Sequence, residues 1–304
     1  MHRPRCALLP EGAHHDLVTA VEEGGGELVP PEHAEAVIWV DPRDADGLGA
    51  VLRANPDVRW VQLPFAGIEP FVPLLDEDRI WTCGKGVYAD PVAEHALMLG
   101  LAGLRGGVRY ARETSWSAPF GHNLLGGRVT MVGGGEITRA LVRLLRPFGA
   151  YLTVVRHRPV PIDGVAEVVP SSRLVQAVRG ADLVVLALAL TPETERIVDA
   201  EVLAAMEPHA WLVNVARGRH IDTDALVAAL EEERIGGAAL DVTDPEPLPD
   251  DHRLWRLPNA LITPHVANTP EMGRPLLAAR IRENVRRYAA GEPLLGPVHV
   301  DLGY

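Results

Sequence analysis

Six short apolar runs between residues 129 and 263 constrain this 304-residue chain more than any other feature. They are Val129–Val132, Leu152–Val155, Leu183–Leu188, Trp211–Val215, Ala238–Val242 and Ala260–Thr263, and a stretch able to form a helix lies between each pair. Largely apolar runs of this length read as buried strands, a condition met in parallel sheets covered by crossover helices. Six of them describe a doubly wound α/β sheet. Two crossover helices have visible starts: Ser171-Ser172 can cap the one carrying Leu174, Val175 and Val178, and Asp222 the one carrying Leu226, Val227 and Leu230.

The first ~90 residues repeat the alternation on a smaller scale. Cys6–Leu9, Ala36–Val40, Val58–Leu63 and Ile80–Cys83 read as strands, with helical stretches around Asp16–Glu23, Asp46–Ala54 and Glu69–Leu75. From Pro91 to about Arg112 runs a helical segment with Pro91 at its first position. Its small residues imply close packing against another helix, at a domain or a dimer interface. Glu113–Asn123 reads as an irregular arm, and the amphipathic stretch Met272–Ala290, ending at Gly291, as a return to the first domain.

Bulk properties exclude several classes. A formal net charge of −12 repels phosphate backbones, so nucleic acid is not an expected partner. No apolar stretch approaches the ~18 residues of a membrane span. The N-terminus reaches Pro10 and Glu11 before a secretory core develops. Cys6 and Cys83 read as reduced thiols of a cytoplasmic protein. No metal site is expected.

Gly133-Gly134-Gly135 follows the first of the six runs and opens a helix with Ile137, Leu141, Leu144, Leu145 and Phe148 on its apolar face. A glycine triplet alone is an ordinary tight turn. In a strand–turn–helix–strand setting it suits a dinucleotide, because no Cβ blocks the pyrophosphate and helix-end N–H groups face it. Thr138 stands where a Gly or Ala normally permits close helix–strand packing, and is expected to push the helix slightly outward. Beyond the second run, where NAD-specific sites carry an acid for the ribose hydroxyls, stands Arg156-His157-Arg158. Guanidinium groups can clamp a 2′-phosphate, so NADP(H) is expected, with NAD(H) the alternative.

Arg217, Glu246 and His265 each lie just past one of the later runs, where ligands of parallel sheets gather. A fixed cation, a carboxylate and an imidazole together can bind an anion and move a proton.

The motifs VGGGEITRAL, LALTPETERIVD, WLVNVARGRHIDTDAL, GAALDVTDPEPLP and LITPH, with the preceding PVAEHALMLGLAGLR, resemble the D-isomer-specific 2-hydroxyacid dehydrogenase family, in particular its glyoxylate/hydroxypyruvate reductase branch. The resemblance spans most of the chain. It implies a Rossmann domain, residues 91–269, inserted into a smaller flavodoxin-like α/β substrate domain made of 1–90 and 270–304.

The family roles fall on residues of this sequence. His265 would be the general acid, Glu246 its carboxylate partner, and Arg217 the cation for the substrate carboxylate. Ala66 and Gly67 would add backbone N–H groups for that carboxylate. Gly133, Gly135, Glu136 and Ile137 would hold the pyrophosphate, and Arg156, His157 and Arg158 the 2′-phosphate. Leu190, Pro192, Val215 and Ala216 would line the cofactor. Asp241 would bond the nicotinamide carboxamide, with Asn268 on the same side. Lys85 is a further charged candidate, equally readable as a surface lysine between glycines. The resemblance implies NADP-dependent reduction of a small 2-oxo acid to the D-2-hydroxy acid by a homodimer. A non-catalytic dinucleotide sensor on the same scaffold is the alternative.

Overall fold

In the computed structural model, which describes residues 2–300, the backbone forms two compact units. Met1–Tyr88 and Thr269–Tyr304 make up the first, and Ala89–Asn268, inserted between them in sequence, makes up the second.

The first unit contains β1 (Arg5–Leu9), α1 (His15–Glu23), β2 (Glu27–Leu28), β3 (Ala36–Trp39), α2 (Ala45–Ala54), β4 (Trp60–Gln62) and β5 (Ile80–Thr82). Its strands are all parallel, in the order β2-β1-β3-β4-β5. Alternate residues feed opposite faces, Ala7, Val37 and Val61 one core and Cys6, Ile38 and Trp60 the other. Both faces are therefore dry, and full burial of a side chain such as Ile38 stabilises the unit by roughly 1.5–3 kcal/mol. Both thiols are free and buried, and burial foremost pushes that of Cys6 up to about 12. The stretch expected as a helix over Glu69–Leu75 is instead a 3₁₀ segment, Glu69–Leu74. Pro73, inside the segment, lacks the N–H that a regular α-helix would use there.

The second unit begins with α3 (Ala89–Leu104) and α4 (Gly107–Tyr110) and continues through β6 (Arg128–Val132), α5 (Glu136–Leu145), β7 (Tyr151–Val155), β8 (Glu167–Val169), α6 (Leu174–Ala177) and β9 (Leu183–Leu186). It closes with α7 (Ala200–Ala205), β10 (Trp211–Asn214), α8 (Thr223–Glu231), β11 (Gly237–Leu240) and β12 (Ala260–Ile262). Seven parallel strands run β12-β11-β10-β9-β6-β7-β8, so the order reverses between β9 and β6. That is a Rossmann sheet with its switch point beside the glycine turn. Six of the seven strands carry the apolar runs; β8 is three residues, of which only Val169 is buried, and gives no such signal.

Three local expectations change. Helix α3 starts at Ala89, which puts Pro91 at its third position, and it stops at Leu104 before Gly106 turns left-handed at φ +69°. Two of its small residues serve packing within its own unit. A Cβ on Gly103 would fall 2.2 Å from the Trp211 ring and one on Gly100 2.8 Å from Leu183, so both glycines let the helix lie directly on the sheet. The serine pair caps no helix: Ser171–Arg173 is a 3₁₀ turn after Pro170, and α6 begins after Arg173 without a side-chain cap. Asp222 does cap α8, accepting from the Ala225 N–H at 3.1 Å.

Helix α9 (Pro270–Ala290) belongs to the first unit. It starts at the Thr269 cap, ends at left-handed Gly291, and buries Leu277, Ile281 and Val285. Its fully buried Asn284 donates to Gln62 Oε1 at 2.8 Å and to Leu295 O at 3.0 Å, and accepts from the Leu295 N–H. Gln62 also accepts from Thr82, which accepts from Trp60 Nε1. This satisfied network fixes α9 and the following segment to the sheet. Among the described residues, no helix is long and apolar enough to cross a membrane.

Candidate active site

Parallel strands deliver everything that follows their C-termini to one edge of a sheet. In the second unit that edge carries the glycine turn after β6, Arg156 after β7, Leu188–Thr194 after β9, Val215–Gly218 after β10, Asp241–Glu246 after β11 and Thr263–Asn268 after β12.

The glycine turn is built for close approach. Gly133 has φ +106°, and a Cβ there would lie 2.2 Å from the Ala187 carbonyl oxygen. Gly135 is the N-cap of α5 with nothing within 4 Å of a Cβ position, which leaves room for a phosphate over the N–H groups of Glu136 and Ile137. Thr138, expected to wedge the helix away, is wholly buried and donates its hydroxyl to Gly133 O at 2.8 Å. The hydroxyl ties helix to turn, so the β-branched side chain has a bonding role in that packing.

Arg156 folds back over this turn. Its Cδ, Nε and Cζ lie 2.9–3.2 Å from where a Gly134 Cβ would sit, while its backbone N–H donates to Val169 O. His157 and Arg158 follow, exposed. The loop after β9 comes close: the Thr191 side chain first, and also the charge of His157, hold the exposed Glu193 carboxyl below the usual carboxylate range. Thr194 Oγ1 accepts from the Thr191 N–H at 2.8 Å and donates to Ala189 O at 2.8 Å, which shapes Leu190-Thr191-Pro192.

Arg217 has extended backbone just after β10 and is half-buried. Asn214, fully buried at the strand end, accepts from the Ala216 N–H at 3.0 Å and donates to Arg217 O at 2.8 Å, so Val215 and Ala216 are held as a fixed turn. The Arg217 Nη1 donates to Ala216 O at 2.7 Å. Gly218 follows because nothing larger fits: its Cβ would fall 2.0 Å from the Thr243 carbonyl. The arginine loop thus abuts the loop that leads to Glu246.

His265 Nδ1 lies 2.7 Å from Glu246 Oε1. The carboxylate can only accept, so Nδ1–H donates and Nε2 is the ring nitrogen turned elsewhere. His265 is one of three residues other than glycine with positive φ among the described residues, at +54°. Asp241 holds it in that conformation. Its backbone oxygen accepts from the His265 N–H at 2.8 Å, and its carboxylate accepts from Val266 N, Ala267 N, Thr263 Oγ1 and His95 Nε2 at 2.5–3.3 Å. Burial by itself would push the Asp241 carboxyl up, but those donors outweigh it and hold it below the ordinary carboxylate value.

The residues therefore fit a dinucleotide on evidence internal to the fold: open space above an unobstructed helix end, and an orphaned acceptor, Asn268 Oδ1, buried without a hydrogen-bond partner. In the first unit, the loop after β4 carries Ala66 and Gly67. Tyr88 steadies it, donating to Pro64 O at 2.8 Å and packing on Phe65, while Gly84 N donates to Phe65 O. Lys85 is exposed, and its carbonyl accepts from Arg280.

Four contributors escaped the sequence reading: His95, His220, Gly218 and Thr263. Each sits inside a quoted motif, and His95 had a usable signal as the last polar residue before the apolar remainder of its helix.

The profile of the D-isomer-specific 2-hydroxyacid dehydrogenase NAD-binding domain matches residues 95–267. An uncharacterised protein from the proB 3′ region of Corynebacterium melassecola is 39% identical over 298 residues, covering 95% of this chain and 97% of its own length. The glyoxylate reductase of Korarchaeum cryptofilum is 33% identical over 269 residues, covering 84% and 79%. Among solved structures, a D-isomer-specific 2-hydroxyacid dehydrogenase from Xanthobacter autotrophicus Py2, in complex with NADPH and MES, superposes with a TM-score of 0.85 at 27% identity, covering all of both chains. The chain belongs to the D-isomer-specific 2-hydroxyacid dehydrogenase family.

Proposed function

We propose that this protein reduces a small 2-oxo acid of the glyoxylate or hydroxypyruvate class to the D-2-hydroxy acid, using NADPH. The observation that carries the reading is the His265–Glu246 pair, 2.7 Å apart at the sheet edge that also presents the glycine turn. When bound, the nicotinamide supplies the hydride.

His265 delivers the matching proton from Nε2 to the carbonyl oxygen, and Glu246, bonded at Nδ1, steadies the imidazolium form and fixes the ring. Arg217 is charged at every working pH and forked, which suits a 2-oxo acid's carboxylate and adjacent keto oxygen. In the substrate-binding unit, Ala66 and Gly67 contribute N–H donors. In the dinucleotide-binding unit, Gly133, Gly135, Glu136 and Ile137 receive the pyrophosphate. Leu190, Pro192, Val215 and Ala216 line the cofactor. Asn268 Oδ1 accepts from the carboxamide, and Asp241 fixes the loop that places this side of the cofactor.

The preference for NADP(H) over NAD(H) rests on Arg156 lying over Gly134, with His157 and Arg158 beside it and no acid at the end of β7. A cytoplasmic homodimer is the expected form of the protein.

The test is NADPH oxidation with a panel of 2-oxo acids, repeated with NADH. Turnover of a small 2-oxo acid, faster with NADPH at limiting cofactor, supports the reading. Silence across the panel with tight NADPH binding would point to a dinucleotide sensor, and a strong NADH preference would overturn the cofactor assignment.

A further inference from the structure

We propose that His220 is a positioning residue that ties the substrate arginine to the loop lining the cofactor. The inference rests on the roles given above to Arg217 and to Leu190-Thr191-Pro192.

His220 is fully buried, on the short turn that follows Arg217. A buried imidazole costs free energy unless both nitrogens are bonded, and here both are. Nε2 lies 3.2 Å from Ala189 O. A carbonyl can only accept, so Nε2 carries the proton and Nδ1 is an acceptor. Nδ1 faces the Arg217 N–H at 3.2 Å. Arg217 O lies 3.1 Å from the same nitrogen, but it already accepts from Asn214 Nδ2 and from the His220 backbone N–H. The ring nitrogen therefore takes the arginine's N–H.

One end of the ring thus holds the backbone of Arg217, and the other holds Ala189, whose carbonyl also anchors Thr194 and through it the Leu190–Pro192 bend. Leucine would fill the same space more cheaply, without either bond. A rigid ring bonded at both ends holds each loop through its own bond, so the grip on the substrate carboxylate rests on Nδ1 and the grip on the dinucleotide on Nε2.

Two conservative substitutions separate the two ends. In His220→Asn the amide stands near the Nδ1 position and keeps the Arg217 bond; in His220→Gln it reaches toward the Nε2 position and keeps the Ala189 bond. His220→Asn should leave the KM for the 2-oxo acid near wild type and weaken NADPH binding, read by fluorescence, by roughly three- to tenfold, the worth of one hydrogen bond. His220→Gln should do the reverse, and His220→Leu should lose both. Asn and Gln variants that keep wild-type constants, or that change both constants alike, would overturn the proposal.

If the variants fail to fold, the imidazole ¹⁵N spectrum of the wild-type protein decides at neutral pH. A bare Nδ1 with a protonated Nε2 supports the tie; the opposite tautomer or a doubly protonated ring contradicts it. NADPH affinity and tautomer are readable even from a protein that reduces no 2-oxo acid, so failure of the functional reading stays distinct from failure of this one.

Discussion

A methyl group on Gly218 would lie 2.0 Å from the carbonyl of Thr243, so the loop carrying Arg217 and the loop leading to Glu246 meet backbone to backbone. No side chain intervenes that could give way. Gly218→Ala must therefore force the two loops apart. Overpacking of this kind costs about 1–3 kcal/mol of stability, and the displaced arginine should lower kcat/KM by roughly tenfold or more. Urea unfolding and steady-state kinetics on one preparation check both effects.

Thr138 bonds the helix to the glycine turn through a single hydroxyl. Thr138→Val keeps the shape and removes the bond, leaving Gly133 O without that donor. The expected outcome is a loss of about 1 kcal/mol in stability together with weaker NADPH binding. Thermal or urea unfolding alongside a cofactor titration measures it; Thr138→Ser, which keeps the hydroxyl, should recover most of the binding.

Arg156 lies over Gly134, and Arg158 is exposed two residues on. Neutralising both, as in Arg156→Gln with Arg158→Gln, should raise the KM for NADPH by about tenfold or more, the scale of a lost charge-assisted hydrogen bond. The KM for NADH should change far less. Equal effects on the two cofactors would place these arginines outside the 2′-phosphate site.

Asp241 carries a pH signature. Its carboxyl is held below the ordinary value by His95, Thr263, Val266 and Ala267 against the opposing effect of burial. A depressed folded value means that the carboxylate contributes stability fully above its unfolded pKa, about 3.9. That contribution is lost as the pH falls through the lower folded value. Acid titration of Asp241→Asn should therefore show a shallower fall in stability below pH ~4 than the wild type. At neutral pH the variant should be less stable, because an amide cannot accept from all four donors.

The broad layout was legible because each run from Val129 to Thr263 is mostly apolar, as strands buried on both faces are. The same property hid β8 and β2, whose few residues are mostly half-buried or exposed. Arg217, Glu246 and His265 could be found because each follows a visible run. His220 and Thr263 could not, since a bond between two loops depends on which strands are neighbours, and β9 lies beside β10 only once the sheet has formed. The bond of Thr138 was hidden for a related reason: side-chain volume is visible in a sequence, whereas a hydroxyl pointed at a carbonyl is not. The serine pair looked like a helix cap, but Pro170 and the 3₁₀ turn after it displace the helix start to Leu174.

The most direct test is the effect of His265→Gln on turnover. The amide can still pair with Glu246 but cannot deliver a proton as an imidazolium does. Reduction of the best 2-oxo acid should fall by about 10²–10⁴-fold in kcat, the usual contribution of a general acid, while NADPH binds with nearly unchanged affinity. Wild-type turnover in that variant would contradict the assignment of His265 and with it the account of this site.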